Sequence, residues 1–341
     1  MDTDDNTDDS NTDDSNTDNS TPDTDLFEFL DTSNSKVRRS HYVRANGAEV
    51  NYAEGVARAH EELGEESFKG RFNGIPKSVM RFDKDADLMA LVGDDEGEPR
   101  KSLRDNEHSG YATNLKFSTY NPTQARLLLD YYMKPGAHIL DPFMGRGTRS
   151  VMAYTLGMSY TGFDTCADTV ALNEKLLARA RTLHGGHEGA VSTLHVGDGT
   201  VVAPYDERES LFDGVFTCPP YYGIERYSGA DGDLSHMADA AFNDRVRVLF
   251  RHLYRLVKPS GKYRPDIHPV VMTVGTVRHG EGGIVDMDSL FQGFAQDAGF
   301  VLHDKVVTEN RAPGAGFTFR RNWSLGFVTK AHETTLVWLK R

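Results

Sequence analysis

The chain has 341 residues, 38% of them apolar, enough for one large domain or two modest ones with a sizeable core. Its formal net charge is −13, but residues 1–25 hold ten Asp and no Lys, Arg or Glu; without them 41 acidic residues face 38 basic ones, a net of −3 that leaves room for basic patches able to grip phosphates. The two cysteines, Cys166 and Cys218, exclude a disulfide framework and a zinc spacing, no run approaches the roughly 18 apolar residues of a membrane span, and the acidic start is unlike a signal peptide, so a cytoplasmic protein without a metal site is expected.

Residues 1–25 repeat a TDDSN-like unit: Thr7-Asp8-Asp9-Ser10-Asn11 is echoed by Thr12-Asp13-Asp14-Ser15-Asn16. So polar a segment cannot bury enough surface to offset its ordering entropy and reads as a disordered tail. Residues 26–115 form an N-terminal region of no assignable fold. From 116 to 341 the pattern sharpens into one domain. Asn121-Pro122-Thr123-Gln124 opens a helix that runs from Ala125 to Tyr132. Strands are expected over Ala137–Asp141, Ser159–Asp164, Ser192–Val196, Phe212–Thr217, Pro269–Val274, Val301–Thr308 and Thr334–Leu339. Helices are expected over Thr148–Leu156, Asp168–Leu183, Ala240–Leu256 and Met287–Ala298. Strands alternating with helices make a mostly parallel α/β sheet covered on both faces, with the last two strands an antiparallel pair at its edge.

In such a sheet, ligands sit at the carboxyl ends of the strands. The first strand ends in Asp141-Pro142-Phe143-Met144-Gly145-Arg146-Gly147-Thr148, whose glycines let the backbone approach a ligand and turn tightly into a helix. The G-x-G-x-x-G spacing of dinucleotide binders is absent. Asp164 ends the second strand, where a carboxylate can accept from both hydroxyls of a ribose; the plainer alternative is a helix cap, for which Asp168 is the better candidate. Asp198 ends the third strand and either meets an adenine amino group or makes a turn. The fourth ends in Thr217-Cys218-Pro219-Pro220-Tyr221-Tyr222. Two prolines stiffen the backbone and remove donors, so carbonyls can face a cleft, and a tyrosine offers a base a flat surface. Methylation of a base amine asks for this combination: acceptors must draw on the amine hydrogens and rehybridise a nitrogen whose lone pair is delocalised into the ring.

The pairing of Asp141–Thr148 with Cys218-Pro219-Pro220-Tyr221 resembles the DPFxGxGT and (D/N/S)PPY motifs of the amino-group DNA methyltransferases of phages and bacteria, which modify adenine N6 or cytosine N4. Residues 110–341 carry the resemblance. It extends to Phe117-Ser118-Thr119-Tyr120-Asn121-Pro122, to Tyr227-Ser228 with Asp233-Leu234-Ser235, to Leu256–Gly261 and to Lys330-Ala331-His332-Glu333. The resemblance implies the seven-stranded class I methyltransferase (Rossmann-like) sheet, strand order 3-2-1-4-5-7-6. It implies S-adenosyl-L-methionine as cofactor, touched by Ser118, Thr119, Asp141, Pro142, Phe143, Gly145, Gly147, Thr148, Asp164 and Asp198, and catalysis by Cys218, Pro219, Pro220 and Tyr221. Where the family carries Asp, Asn or Ser, this chain has Cys218, a weak acceptor closer to the Ser form, which leaves adenine and cytosine both open. The same thiol admits a rival in which it attacks pyrimidine C6 to direct methylation to C5; that chemistry usually places the Cys after a Pro.

Double-stranded DNA is the expected partner, with Arg226, Arg278, Arg311, Arg320 and Arg321 the candidate contacts; a solvated loop is the plain alternative for Arg311–Trp323. An RNA base methyltransferase of the same fold, and a DNA mimic or inactive binding protein, are the competing expectations. A solitary, phage-type enzyme is preferred over one half of a restriction–modification pair.

Overall fold

The computed structural model of the chain describes residues 76–93, 120–185, 187, 189–203, 205, 207–220, 232–262, 264, 266–278, 283–309, 323–328 and 330–341. In chain order these form β1 (Val79–Arg81), α1 (Ala86–Val92), α2 (Pro122–Tyr132), β2 (His138–Asp141), α3 (Thr148–Thr155), β3 (Ser159–Asp164), α4 (Ala167–His184) and β4 (Ser192–Val196). There follow β5 (Gly214–Thr217), α5 (Asp239–Leu256), β6 (Pro269–Val274), β7 (Val277–Arg278), β8 (Ile284–Val285), α6 (Met287–Asp297), β9 (Val301–Glu309) and β10 (His332–Leu339). Residues 1–75, with the expected tail, lie outside the described residues.

Local chemistry explains the elements. Asn121 caps α2, its side chain accepting from the Thr123 N–H at 2.9 Å with Pro122 in the first turn, where its missing donor costs nothing. In α5 the buried residues Phe242, Val246, Leu249, Phe250, Leu253 and Leu256 fall on one stripe of a 3.6-residue period. All six residues of β6 are buried, as a parallel strand covered on both faces requires.

The strands form one sheet in the order β1-β9-β10-β6-β5-β2-β3-β4. Numbering the seven expected strands along the chain, the order is 3-2-1-4-5-7-6, as the resemblance implies. The sheet has eight strands rather than seven, because β1 pairs parallel with β9 outside it. The antiparallel strand is β10, which lies between β6 and β9 and pairs with both. The fourth expected strand begins at Gly214; Phe212 makes an isolated bridge to Val257. β7 and β8 make a separate two-stranded ribbon.

Successive strand residues face opposite sides of the sheet and feed two cores. On one side Ile139, Tyr160, Phe216 and Val271 pack with residues of α1 to α4. On the other, Leu140, Phe163, Val215, Val270, Met272 and Trp338 pack with α5 and α6. The core thus fixes β2, β3 and β5 as a rigid base whose carboxyl ends present the loops described next. Among the described residues, no helix is long and apolar enough to cross a membrane.

Candidate active site

β2 ends at Asp141, and the chain turns through Pro142–Gly147 into α3. Gly145 (φ +54°) and Gly147 (φ +87°) adopt the left-handed conformation that favours glycine. At Gly147 a Cβ would also lie 2.8 Å from Leu176 Cδ1 and 3.3 Å from Asn173 Oδ1. The turn is sewn to its neighbours by Met144 N–H to the Phe163 carbonyl (2.9 Å) and Asn173 Nδ2 to the Gly145 carbonyl (2.6 Å). Asn173 is wholly buried in α4, and its Oδ1 accepts from Ser150 at 2.8 Å. Pro142 and Thr148 are buried, and Phe143 is half-buried against the α5 side of the sheet.

The Asp141 carboxylate is wholly buried and takes four donors. Oδ1 accepts from Thr217 Oγ1 (2.6 Å) and the Phe143 N–H (3.1 Å); Oδ2 accepts from Arg149 Nε (2.6 Å) and Tyr160 Oη (2.7 Å). A carboxylate has about four lone-pair sites, so its side chain is used up inside the protein and organises the loop. Arg149 also donates to the Phe143 carbonyl and stands 5.4 Å over the Tyr120 ring. Burial works against the Arg149 charge, but the adjoining Asp141 carboxylate outweighs it and holds the guanidinium above its usual range. Tyr120 donates to or accepts from Thr273 Oγ1 at 2.7 Å, and burial keeps its phenol neutral.

Asp164, at the end of β3, accepts the Gly145 N–H on Oδ2 (3.2 Å) and the Cys166 N–H on Oδ1 (2.9 Å). Each oxygen keeps one lone-pair site, unlike those of Asp141. Burial pushes its carboxyl up to about 6; the two backbone donors pull it down, and Asp141 and Asp233 push it up further. Asp168 is not the cap of α4. The helix opens one residue earlier, at Ala167, Cys166 occupies the N-cap without a side-chain bond, and Asp168 lies inside the first turn. Asp198, after β4, accepts from the Thr200 N–H (2.8 Å) and hydroxyl (2.6 Å) on Oδ1 and pairs with Arg245 across 3.3 Å on Oδ2. It therefore makes the turn, two residues past the carboxyl end of β4. Gly199 brings this turn against the first: a Cβ there would lie 1.9 Å from the Pro142 carbonyl oxygen.

β5 carries Thr217 into Cys218, Pro219 and Pro220. Cys218 and Pro220 are half-buried, Pro219 is buried, and both cysteines are free thiols. Cys218 lies within electrostatic reach of Tyr120, Arg149 and Lys330. Arg278 sits in the β7–β8 ribbon beyond the carboxyl end of β6. Tyr221, Arg226, Arg311, Arg320, Arg321, Ser118 and Thr119 lie outside the described residues. Among the described residues no group of three His, Cys, Asp or Glu side chains is gathered as a metal would require.

Sequence reading missed Arg149, Asn173 and Gly199. Asn173 had a signal: it stands on the apolar stripe Val170, Asn173, Leu177, Ala180, where a polar residue must find buried partners. Arg149 and Gly199 carried none, because their partners Asp141 and Pro142 are set by tertiary structure.

No family model matches the chain, and no curated protein matches it. Solved structures do. TrmN from Thermus thermophilus is similar with a TM-score of 0.41 and 17% identity, over 66% of this chain and 50% of that one. A TehB-like SAM-dependent methyltransferase from Corynebacterium glutamicum is similar with a TM-score of 0.38 and 18% identity, over 64% and 87%. The [4+2]-cyclase SpnF is similar with a TM-score of 0.42 and 15% identity, over 66% and 84%. The chain thus spans half the length of TrmN and most of the other two.

Proposed function

We propose that this chain is an S-adenosyl-L-methionine-dependent methyltransferase acting on an exocyclic amine, cytosine N4 or adenine N6, of a base flipped out of double-stranded DNA. The observation that carries the reading is the junction of its two motifs: Asp141 of the glycine turn and Thr217, the residue before Cys218-Pro219-Pro220, are hydrogen-bonded at 2.6 Å. A methyl donor over the turn and an amine at the prolines would then be neighbours.

The donor set fits the cofactor. Asp164 has one lone-pair site left on each oxygen, as a vicinal ribose diol needs, and at Gly145 and Gly147 no Cβ stands between the turn's backbone and a ligand. Asp198 is available to the adenine amino group on its Oδ2 side, shared with Arg245. When bound, the cofactor supplies an electrophilic sulfonium methyl. The chain's own part is positioning. The Pro219 carbonyl and Cys218 accept from the amine and turn its lone pair outward, Tyr221 stacks on the base, and rigid prolines hold both in register. The amine sheds its proton to solvent after transfer, so no strong base is required.

Purified chain, labelled methyl donor and either duplex DNA or tRNA test the reading. Label in an amino-methylated base of DNA supports it. Label in tRNA alone assigns the site to RNA, and 5-methylcytosine makes Cys218 a nucleophile.

A further inference from the structure

The connection from β9 to β10 runs from Glu309 to His332. Because β9 is parallel to the main sheet and β10 antiparallel, Glu309 and His332 both stand at the carboxyl ends of the strands, the end that carries the glycine turn and Cys218. Its residues 311–330 include Arg311, Arg320, Arg321 and Lys330 and no Asp or Glu, in a chain of net charge −13. Its described part, 323–328, is a helical turn carrying Trp323 (76% exposed), Leu325 (41%) and Val328 (89%). Three large apolar side chains are exposed within six residues, whereas single exposed ones are ordinary. Lys330 follows, two residues before β10 begins at the carboxyl end of the sheet, which ties the segment to the site; Glu333, Asp288 and Cys218 act on its charge.

An exposed indole in a stretch of sequence whose charged residues are all basic suits a polyanion whose repeating units have flat faces. Every base offers such a face, stacking tolerates sequence, and apolar side chains that enter a base step open the stack, as flipping requires. We propose that Trp323, backed by Leu325 and Val328 and by Lys330 at a phosphate, is the stacking contact that holds DNA beside the flipped base. The proposal rests on the reading above of the chain as a base methyltransferase.

The chain has two tryptophans. Trp338 is wholly buried, its indole N–H bonded to Gln292 Oε1 at 2.6 Å. Emission that responds to DNA is therefore emission from Trp323. Titrating the full chain with a duplex oligonucleotide should quench the wild type and leave Trp323→Phe unquenched. Anisotropy of a labelled duplex should show Trp323→Phe within about threefold of wild-type affinity and Trp323→Ala weaker by roughly 5- to 150-fold, the range of one base stack. Cofactor affinity by calorimetry should be the same in all three proteins. Quenching that persists in Trp323→Phe, or wild-type affinity in Trp323→Ala, overturns the inference and leaves the proposed function standing. Quenching by tRNA but not by duplex DNA overturns DNA as the partner. A wild type that binds its cofactor and no nucleic acid overturns both.

Discussion

Thr217, the last residue of β5, donates its hydroxyl to Oδ1 of Asp141, the last residue of β2, at 2.6 Å. The same carboxylate holds Arg149 and Tyr160 on its other oxygen, so one buried group joins β2, β3, β5 and α3. Thr217→Val keeps the shape and removes the donor. It should cost about 1–3 kcal/mol of stability, the price of an under-satisfied buried acceptor, and lower kcat for methyl transfer more than it raises KM for the cofactor. Thr217→Ser should restore both. Thermal unfolding and steady-state kinetics on the three proteins check this; equal kcat in wild type and Thr217→Val would show that the bond does not align the two motifs.

Asp164 gives a pH dependence with a definite sign. Burial lifts its carboxyl to about 6, and a ribose diol needs the ionised form as acceptor. Cofactor affinity should be pH-independent above about 7 and fall roughly tenfold per unit below 6. Asp164→Asn should bind weakly and with a flat profile across that window. Calorimetric titrations from pH 5 to 8 decide it, and an unchanged slope in the variant would assign the dependence to another group.

Gly199 offers a purely steric test. A Cβ would overlap the Pro142 carbonyl at 1.9 Å, and that atom is backbone of the glycine turn, not a side chain free to swing away. Gly199→Ala should lose about 1–3 kcal/mol by overpacking and weaken cofactor binding together. A melting temperature and cofactor affinity equal to wild type would place the two turns farther apart.

These groups also mark how much the sequence discloses. Ser159–Asp164, Ser192–Val196 and Pro269–Val274 are strands with the expected bounds, because short runs carrying Thr, Val or aromatic residues between turn signals favour extended backbone. β1 was illegible: three residues with exposed ends carry no period, and only β9 beside them makes them a strand. The glycine turn after β2 and Cys218-Pro219-Pro220 after β5 stand where the sequence places them, because each is a run of consecutive residues following a strand. That Asp141 is spent internally while Asp164 keeps two acceptor sites was not legible, because it depends on Thr217, Tyr160 and Arg149 arriving from three other elements.

At the opposite end of the sheet, Asp213 Oδ1 meets Lys258 Nζ at 2.8 Å and Lys134 Nζ at 2.9 Å, and Oδ2 accepts the His138 N–H at 2.9 Å. Burial pushes this carboxyl up, but Lys258, His138 and Lys134 outweigh it and bring it down to about 2. A depressed folded-state value means stability that is complete above the unfolded value near 4 and lost as pH falls toward 2. Asp213→Asn should lower the melting temperature at pH 7 and flatten its decline between pH 4 and 2, with methyl transfer at pH 7 unchanged. A melting curve that keeps the wild-type acid limb would move that limb to other carboxylates.

The most direct test is nucleoside mass spectrometry of genomic DNA from cells expressing this chain, beside cells expressing Tyr221→Ala. N4-methylcytosine or N6-methyladenine should appear in the first and only background in the second. No methylated base in DNA from either, with both proteins folded and binding S-adenosyl-L-methionine, would contradict the proposed function.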